Sequence, residues 1–268
     1  ARMLRNMIEQ PLVDKKKIEE RYDALDSLTN QAMVREELRE YLNPIYDLER
    51  LMTKVSYKTA NPRDMTAFKT SLKWLPPIRL ILEECKDPLH TALRETLDPM
   101  EDIYQLLEDS IVEEPPLAVK EGGIIKDGFK EDIDRLKRAK TEGKQWLMEL
   151  EERERQATGI KNLKVKFNKV FGYYLDVTNS YKDLVPDHYI RKQTLANSER
   201  YTTEELNQLA DTILGSEDRL YALEYETFVE IRETLAGEME RIARTAHIIA
   251  QIDALASLAY VAERNHYV

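Results

Sequence analysis

The sequence predicts a mainly α-helical protein: a multi-helix body, two long antiparallel helical arms, and a small antiparallel β tip carried by the arms. Three observations predict it. Apolar residues recur every three to four positions through most of the 268 residues. Between Ile160 and Thr202 that spacing gives way to the alternation of strands. Glycine is scarce, at 8 residues, while 34% of the chain is charged, a composition that exposes much helical surface.

The body breaks into short helices at readable punctuation. Met3, Leu4, Met7 and Ile8 give residues 1–10 a helical spacing that Pro11 ends. The next helix runs from about Asp14 to Leu28, with Ile18, Tyr22, Leu25 and Leu28 on one face. Asn61-Pro62, Asp87-Pro88 and Asp98-Pro99 each read as a capping side chain followed by proline at the first helical position, where its missing donor costs nothing. Glu113-Glu114-Pro115-Pro116 interrupts helix, and Gly122 to Gly128 reads as a tight turn that ends a first region, residues 1–128.

A second region is expected over 129–234. From Phe129 to Ala157 apolar residues are sparse, so the first arm is a helix exposed on most of its circumference and roughly 40 Å long. The return arm starts near Thr203, and Leu206, Leu209, Ile213, Ser216, Leu220, Leu223, Thr227 and Ile231 give it the spacing of a coiled-coil seam. Two arms flanking one sheet must run antiparallel. Gly237 marks a bend, after which Ile242, Ile249, Ile252, Leu255 and Leu258 form an apolar helix returning to the body in a third region, 235–268. No capping residue precedes the first helix and no stop signal follows the last, so the sequence is expected to be a segment of a longer protein.

Several functional classes find no support. No apolar run approaches the roughly 20 residues that span a bilayer, and the N-terminal residues do not form a signal peptide. The lone Cys85 excludes an internal disulfide, and a cytoplasmic location is expected. No phosphate loop, His-Glu-x-x-His or Gly-x-Ser-x-Gly motif is present, so no catalytic residue is assigned. His90, His188, His247 and His266 lack ligand spacing, so no metal site is expected. The run Glu151-Glu152-Arg153-Glu154-Arg155 reads as a solvated face with i to i+4 pairs, and Trp74 and Trp146 read as packing residues.

Charge points to the tip instead. Between Ile160 and Thr202 eight Lys and Arg oppose four Asp and Glu, leaving +4 in a chain whose net charge is -10. Such an island suits a polyanion, because an acidic protein repels nucleic acid except where cations concentrate. Within it, Leu163, Val165 and Phe167 alternate with Lys164 and Lys166, a strand with one cationic face. Asn168 to Gly172 is a turn, with Gly172 serving its geometry, and Tyr173 to Thr178 is the second strand of a hairpin. A loop with Pro186 follows, and Tyr189 to Tyr201 carries Arg191, Lys192, Asn197 and Arg200 back toward the return arm. Tyr173, Tyr174 and Tyr201 either stack on a ligand or build a small core. Asn197 is either a turn residue or a phosphate contact, and Lys182 and Lys192 are either contacts or solvated charge.

Phe167-Asn168-Lys169-Val170-Phe171-Gly172-Tyr173-Tyr174 and Tyr189-Ile190-Arg191-Lys192-Gln193-Thr194-Leu195-Ala196-Asn197-Ser198-Glu199-Arg200-Tyr201 resemble the clamp of the bacterial MutS DNA mismatch-repair proteins. The resemblance extends over nearly the whole chain. Ala1-Arg2-Met3-Leu4-Arg5, Gln10-Pro11-Leu12, Asp47 to Leu51, Pro62-Arg63-Asp64, Glu121 to Ile125 and Leu150 to Glu154 are similar to the family's core and lever segments, in the family's order. It implies a lever and clamp that, in a homodimer, close around duplex DNA and connect it to an ATPase. The mismatch-reading domain with its Phe-x-Glu wedge is not in the sequence, and Asn265-His266-Tyr267-Val268 stands where the ATPase domain would begin. ATP and magnesium are thus implied for the full-length protein and no cofactor for this segment, with a MutL-type protein as a further partner.

Carried over residue by residue, the family's backbone contacts fall on Asn168 and on the Ala196-Asn197 turn, with Lys164, Lys166, Lys169 and Arg200 close by. At 196 this chain has alanine where members of the family often have lysine, which leaves a backbone amide as the donor there. No recognition helix is evident, so sequence-independent binding is expected. The alternative function is a coiled-coil scaffold whose basic tip grips an acidic protein.

Overall fold

Short-range capping sets four of the early helix starts. In the computed structural model, which describes residues 2–267, α1 (Arg2–Glu9), α2 (Lys15–Asn30), α3 (Ala32–Leu42) and α4 (Leu48–Ser56) follow in turn. Next come α5 (Pro62–Leu72), α6 (Leu75–Ile81), α7 (Pro88–Thr96) and α8 (Glu101–Ser110). Ala1 and Val268, the ends of two stretches read above, lie outside the described residues. Asp14 Oδ1 accepts from the Lys16 amide at 2.9 Å, and Asn61 and Asp64 form a reciprocal capping box at 3.0 and 2.9 Å. Asp87 Oδ1 accepts from the His90 amide at 2.9 Å, with Pro88 in the first turn as expected.

Asp98-Pro99 departs from that pattern. The helix begins only at Glu101, after Met100 in the left-handed region at φ 53°, and Asp98 Oδ2 accepts from Arg241 Nε at 2.9 Å. Its other oxygen, Oδ1, accepts from the Met100 amide at 2.9 Å, so one carboxylate closes a local turn and holds a distant guanidinium.

The chain divides into two units, Ala1–Lys126 with Thr227–Val268, and Asp127–Glu226. In the first, α11 (Met239–Arg264) packs against α1, α2, α3, α4 and α7. This helix is long and apolar enough to cross a membrane by length and composition, with an 18-residue window of mean hydropathy 1.3, contrary to the expectation that no apolar run approaches that size. Ten of its residues, among them Ile242, Ile249, Ile252 and Leu255, are buried, so its apolarity is that of a core helix. Arg35, only 2% exposed, is buried beside it, donating to Glu263 at 2.7 Å and to the Leu28 carbonyl at 3.2 Å.

The second unit holds α9 (Glu131–Thr158), four strands, and most of α10 (Glu204–Gly237). Lys140 meets Glu217 at 3.0 Å and Arg153 meets Glu205 at 2.5 Å, so the partners move in opposite directions and the two helices run antiparallel. Gly143 lets them approach closely: a Cβ there would stand 2.5 Å from Ile213 Cγ1. The strands are β1 (Lys164–Asn168), β2 (Gly172–Thr178), β3 (Ile190–Thr194) and β4 (Ser198–Thr202), in the antiparallel order β1-β2-β4-β3. The expected hairpin is β1 with β2. The segment from Tyr189 to Tyr201 is a second hairpin, which the sequence left as a returning stretch. Its later strand lies inside the sheet because Tyr201 pairs with Leu175 and Arg200 with Asp176.

Candidate nucleic-acid interface

Strand alternation and register together sort the sheet into two faces. Val165, Tyr173, Leu175, Val177 and Tyr201 face a core that also takes in Leu147 and Leu150 of α9 and Leu206 and Ile213 of α10. The other face takes Lys164, Lys166 and Asn168 from β1, Tyr174, Asp176 and Thr178 from β2, and Ser198 and Arg200 from β4. Tyr173 and Tyr201 are therefore core residues. Tyr174 is buried on the opposite face, beneath the Arg200 guanidinium, which lies 4.5 Å above its ring. Phe167 shares the side of Val165, as the alternation predicts, and is 50% exposed with its ring 5.0 Å from that of Tyr173.

The cations of the sheet and its connecting loop are not equivalent. Lys166 is paired with Asp176 at 2.5 Å, and Lys182 and Arg191 share Glu199 at 2.9 and 3.7 Å. The positive island of the sequence is thus partly neutralised from within. Lys161, Lys164, Lys169 and Lys192 are exposed and make no ion pair among the described residues. Arg200 donates to Gln193 Oε1 at 2.8 Å and has no carboxylate partner among the described residues. Glu199 is held below the usual carboxylate range, first by the Tyr201 hydroxyl and then by Lys182. Burial, with Glu199 adding, pushes the Tyr201 hydroxyl up to about 12.

The two turns lie at opposite ends of the face. Since β1 and β4 run parallel across β2, the β1–β2 turn and the β3–β4 turn are separated by the length of β2, from Gly172 to Thr178, or roughly 20 Å at the usual strand rise. At one end Asn168 Oδ1 accepts from the Val170 amide at 2.8 Å, and Gly172, at φ 73°, supplies the left-handed conformation that closes the hairpin. Lys169 is exposed there. At the other end, the carbonyls of Ala196 and Asn197 accept from the Asn179 side chain at 2.9 Å and the Asn179 amide at 3.2 Å. Those bonds fix the turn with both residues exposed. The candidate residues therefore form a strip along one face, with Lys164, Lys166 and Arg200 between the turns.

The acidic run on α9 does more than solvate. Glu151 Oε2 accepts from the Val165 amide of the edge strand at 2.8 Å, Arg155 donates to the Leu163 carbonyl at 3.2 Å, and the Tyr189 hydroxyl donates to Glu154 at 2.7 Å. Helix and sheet are locked by side chains that helical spacing alone assigns to water. Burial, followed by the Glu154 contact, raises the Tyr189 hydroxyl above its ordinary range. Trp146, expected to pack, is 42% exposed.

In the first unit, Cys85, Asp87 and His90 bring potential ligand atoms within 4.8 Å of one another, a grouping that histidine spacing did not suggest. Both Asp87 oxygens are already engaged, one by the His90 amide and one by His90 Nδ1 at 2.7 Å, and burial pushes the Cys85 thiol up to about 11. The group does the work of a helix cap. A cleft of about 540 Å³ in the same unit is lined by Arg2, Asp47, His247 and Asp253 among others, and Arg2 is tied there to Asp47 and Glu49 at 2.5 and 2.8 Å.

Residues 1–259 match the family model of MutS domain III. The chain belongs to the MutS domain III family. Along its whole length it is similar to proteins described as DNA mismatch repair protein MutS. It is 58% identical over 268 residues to that of Lachnoclostridium phytofermentans, covering 29% of the relative. With those of Acetivibrio thermocellus and Caldanaerobacter subterraneus it is 51% identical, covering 31% of each. This MutS domain III chain thus spans less than a third of the length of the curated relatives it matches.

Proposed function

We propose that the chain is the DNA-binding lever and clamp segment of a MutS-type mismatch-repair protein, with its clamp region at 129–234. The observation that carries this reading is the strip of Lys164, Lys169 and Arg200, which form no ion pair among the described residues, on the face of a sheet that side chains lock to α9. Lysines, an asparagine and turn amides suit phosphate oxygens, whereas base reading calls for an element that enters a groove with paired donors and acceptors. Binding is thus to the duplex backbone and independent of sequence. Helices α9 and α10 carry the contact toward an ATPase domain elsewhere in the longer protein. There ATP and magnesium act, and a homodimer closes around DNA and engages a MutL-type partner. The likeness to proteins named for DNA mismatch repair supports that setting.

With two to four phosphates neutralised, log affinity falls against log salt with a slope of roughly -2 to -4. The test is duplex binding, as a function of salt, by a protein of the relatives' full length carrying Lys164→Glu and Lys169→Glu. Expected is weaker binding with a slope shallower by about 0.9 for each lost contact. Unchanged affinity and slope would overturn the reading.

A further inference from the structure

Strand register gives this face, among the described residues, a single strand carboxylate, and it stands amid the cations. Asp176 is directly across from Lys164 on β1 and from Arg200 on β4, and its Oδ2 is taken by Lys166, diagonally placed, at 2.5 Å. Lys166 is 48% exposed while Asp176 is 17% exposed, so the carboxylate is the fixed member of the pair and the ammonium the one that reaches solvent. Among the described residues, two buried polar atoms of cross-strand neighbours have no hydrogen-bond partner: Asp176 Oδ1 and Arg200 Nε. A buried acceptor and a buried donor left unsatisfied on facing residues are costly unless a second arrangement uses them.

We propose that Asp176 acts as an internal stand-in for a DNA phosphate. In the free protein it holds Lys166. When duplex arrives, Lys166 passes to a phosphate and Asp176 turns to Arg200 Nε, so the carboxylate is never left without a cation. Each binding event must first break an existing ion pair, and Asp176 thereby sets the affinity of the clamp below what its cations alone would give. This weakening favours release and movement along DNA over static retention, and it rests on the DNA-binding reading above.

The experiment measures binding of a mismatch-free duplex across a salt series by a protein of the relatives' full length. Variants are Asp176→Asn, Asp176→Gln as a second replacement, Lys166→Gln, and Lys166→Gln with Asp176→Asn. Asp183→Asn is added as an exposed control for the same change of net charge. Freed of its partner, Lys166 adds about one phosphate contact. Both Asp176 variants are then expected to bind about five- to tenfold tighter near 0.1 M salt, with a slope steeper by about 0.9. The gain vanishes when Lys166 is glutamine, and Asp183→Asn leaves binding near the parent. Equal tightening by Asp183→Asn, or a gain that persists without Lys166, reduces the effect to net charge and overturns the inference. So do unchanged Asp176 variants alongside Lys164→Glu and Lys169→Glu that weaken binding, a result that leaves the DNA-binding reading standing. If none of the lysine reversals matters, that reading falls and the inference with it.

Discussion

Replacing Gly143 by alanine sets two magnitudes of opposite sign against each other. In an exposed helix the change would stabilise by about 0.8 to 1 kcal/mol, because glycine loses more backbone freedom on folding. Here the added Cβ would fall 2.5 Å from Ile213 Cγ1 and 3.2 Å from Cδ1, against an optimum of about 3.5 to 4.0 Å. Ile213 is buried and β-branched on α10, so one χ1 rotamer dominates and the side chain cannot swing clear cheaply. Overpacking of this kind costs about 1 to 3 kcal/mol, so the clash wins and the variant is destabilised by up to about 2 kcal/mol. Each unit contains one tryptophan, Trp74 in the first and Trp146 on α9 in the second. Urea unfolding followed by fluorescence in a Trp74→Phe background therefore reports the second unit alone. Ile213→Ala costs about 2 to 5 kcal/mol by itself. Combined with Gly143→Ala it should cost less than the two single changes together, since alanine at 143 then meets space rather than a methylene. A Gly143→Ala protein stabilised by the full helix-propensity gain, with additive behaviour in the double variant, would refute the close approach.

Glu151→Ala should leave the Val165 amide of the edge strand without its acceptor, a local loss of about 1 to 3 kcal/mol. Hydrogen exchange checks it, since a Val165 amide as protected as in the parent would show that the helix does not anchor the strand. In acid, Glu199, Asp102 and Glu108 lie below their ordinary range because the Tyr201 hydroxyl with Lys182, Arg241, and Lys69 with Lys126 respectively hold their charged forms. Groups depressed on folding contribute stability that is fully present above their unfolded values, about 4, and is lost as pH falls through the folded ones. The urea midpoint should therefore drop below about pH 4.5, and a flat midpoint there would contradict the assigned pairs. At the alkaline end Tyr201, pushed up to about 12, favours the fold until unfolded tyrosine ionises near pH 10. Its contribution then fades as pH climbs toward about 12, which tyrosinate absorbance with circular dichroism would follow.

What the sequence by itself determined lies within a turn or a strand of each residue. Asp14, Asn61 and Asp87 cap helices because a side chain and the amides two or three positions ahead are always neighbours, whatever the rest of the chain does. Lys164 and Lys166 share a face because side chains alternate along any strand, and the first hairpin was legible for the same reason. The tertiary structure decided what depends on partners brought from afar. Asp98 bonds Arg241 across the chain as well as the nearby Met100 amide and does not start a helix at Pro99, and Glu151 serves an edge strand rather than water. The second hairpin enters the sheet through β4, which no local pattern orders ahead of β3. The balance of charge on the candidate interface was settled the same way. Composition counts Lys166 as a free cation, but only the register that sets β1 against β2 places Asp176 where a carboxylate can hold it, because pairing across strands is fixed by chain reversal and not by neighbours in sequence.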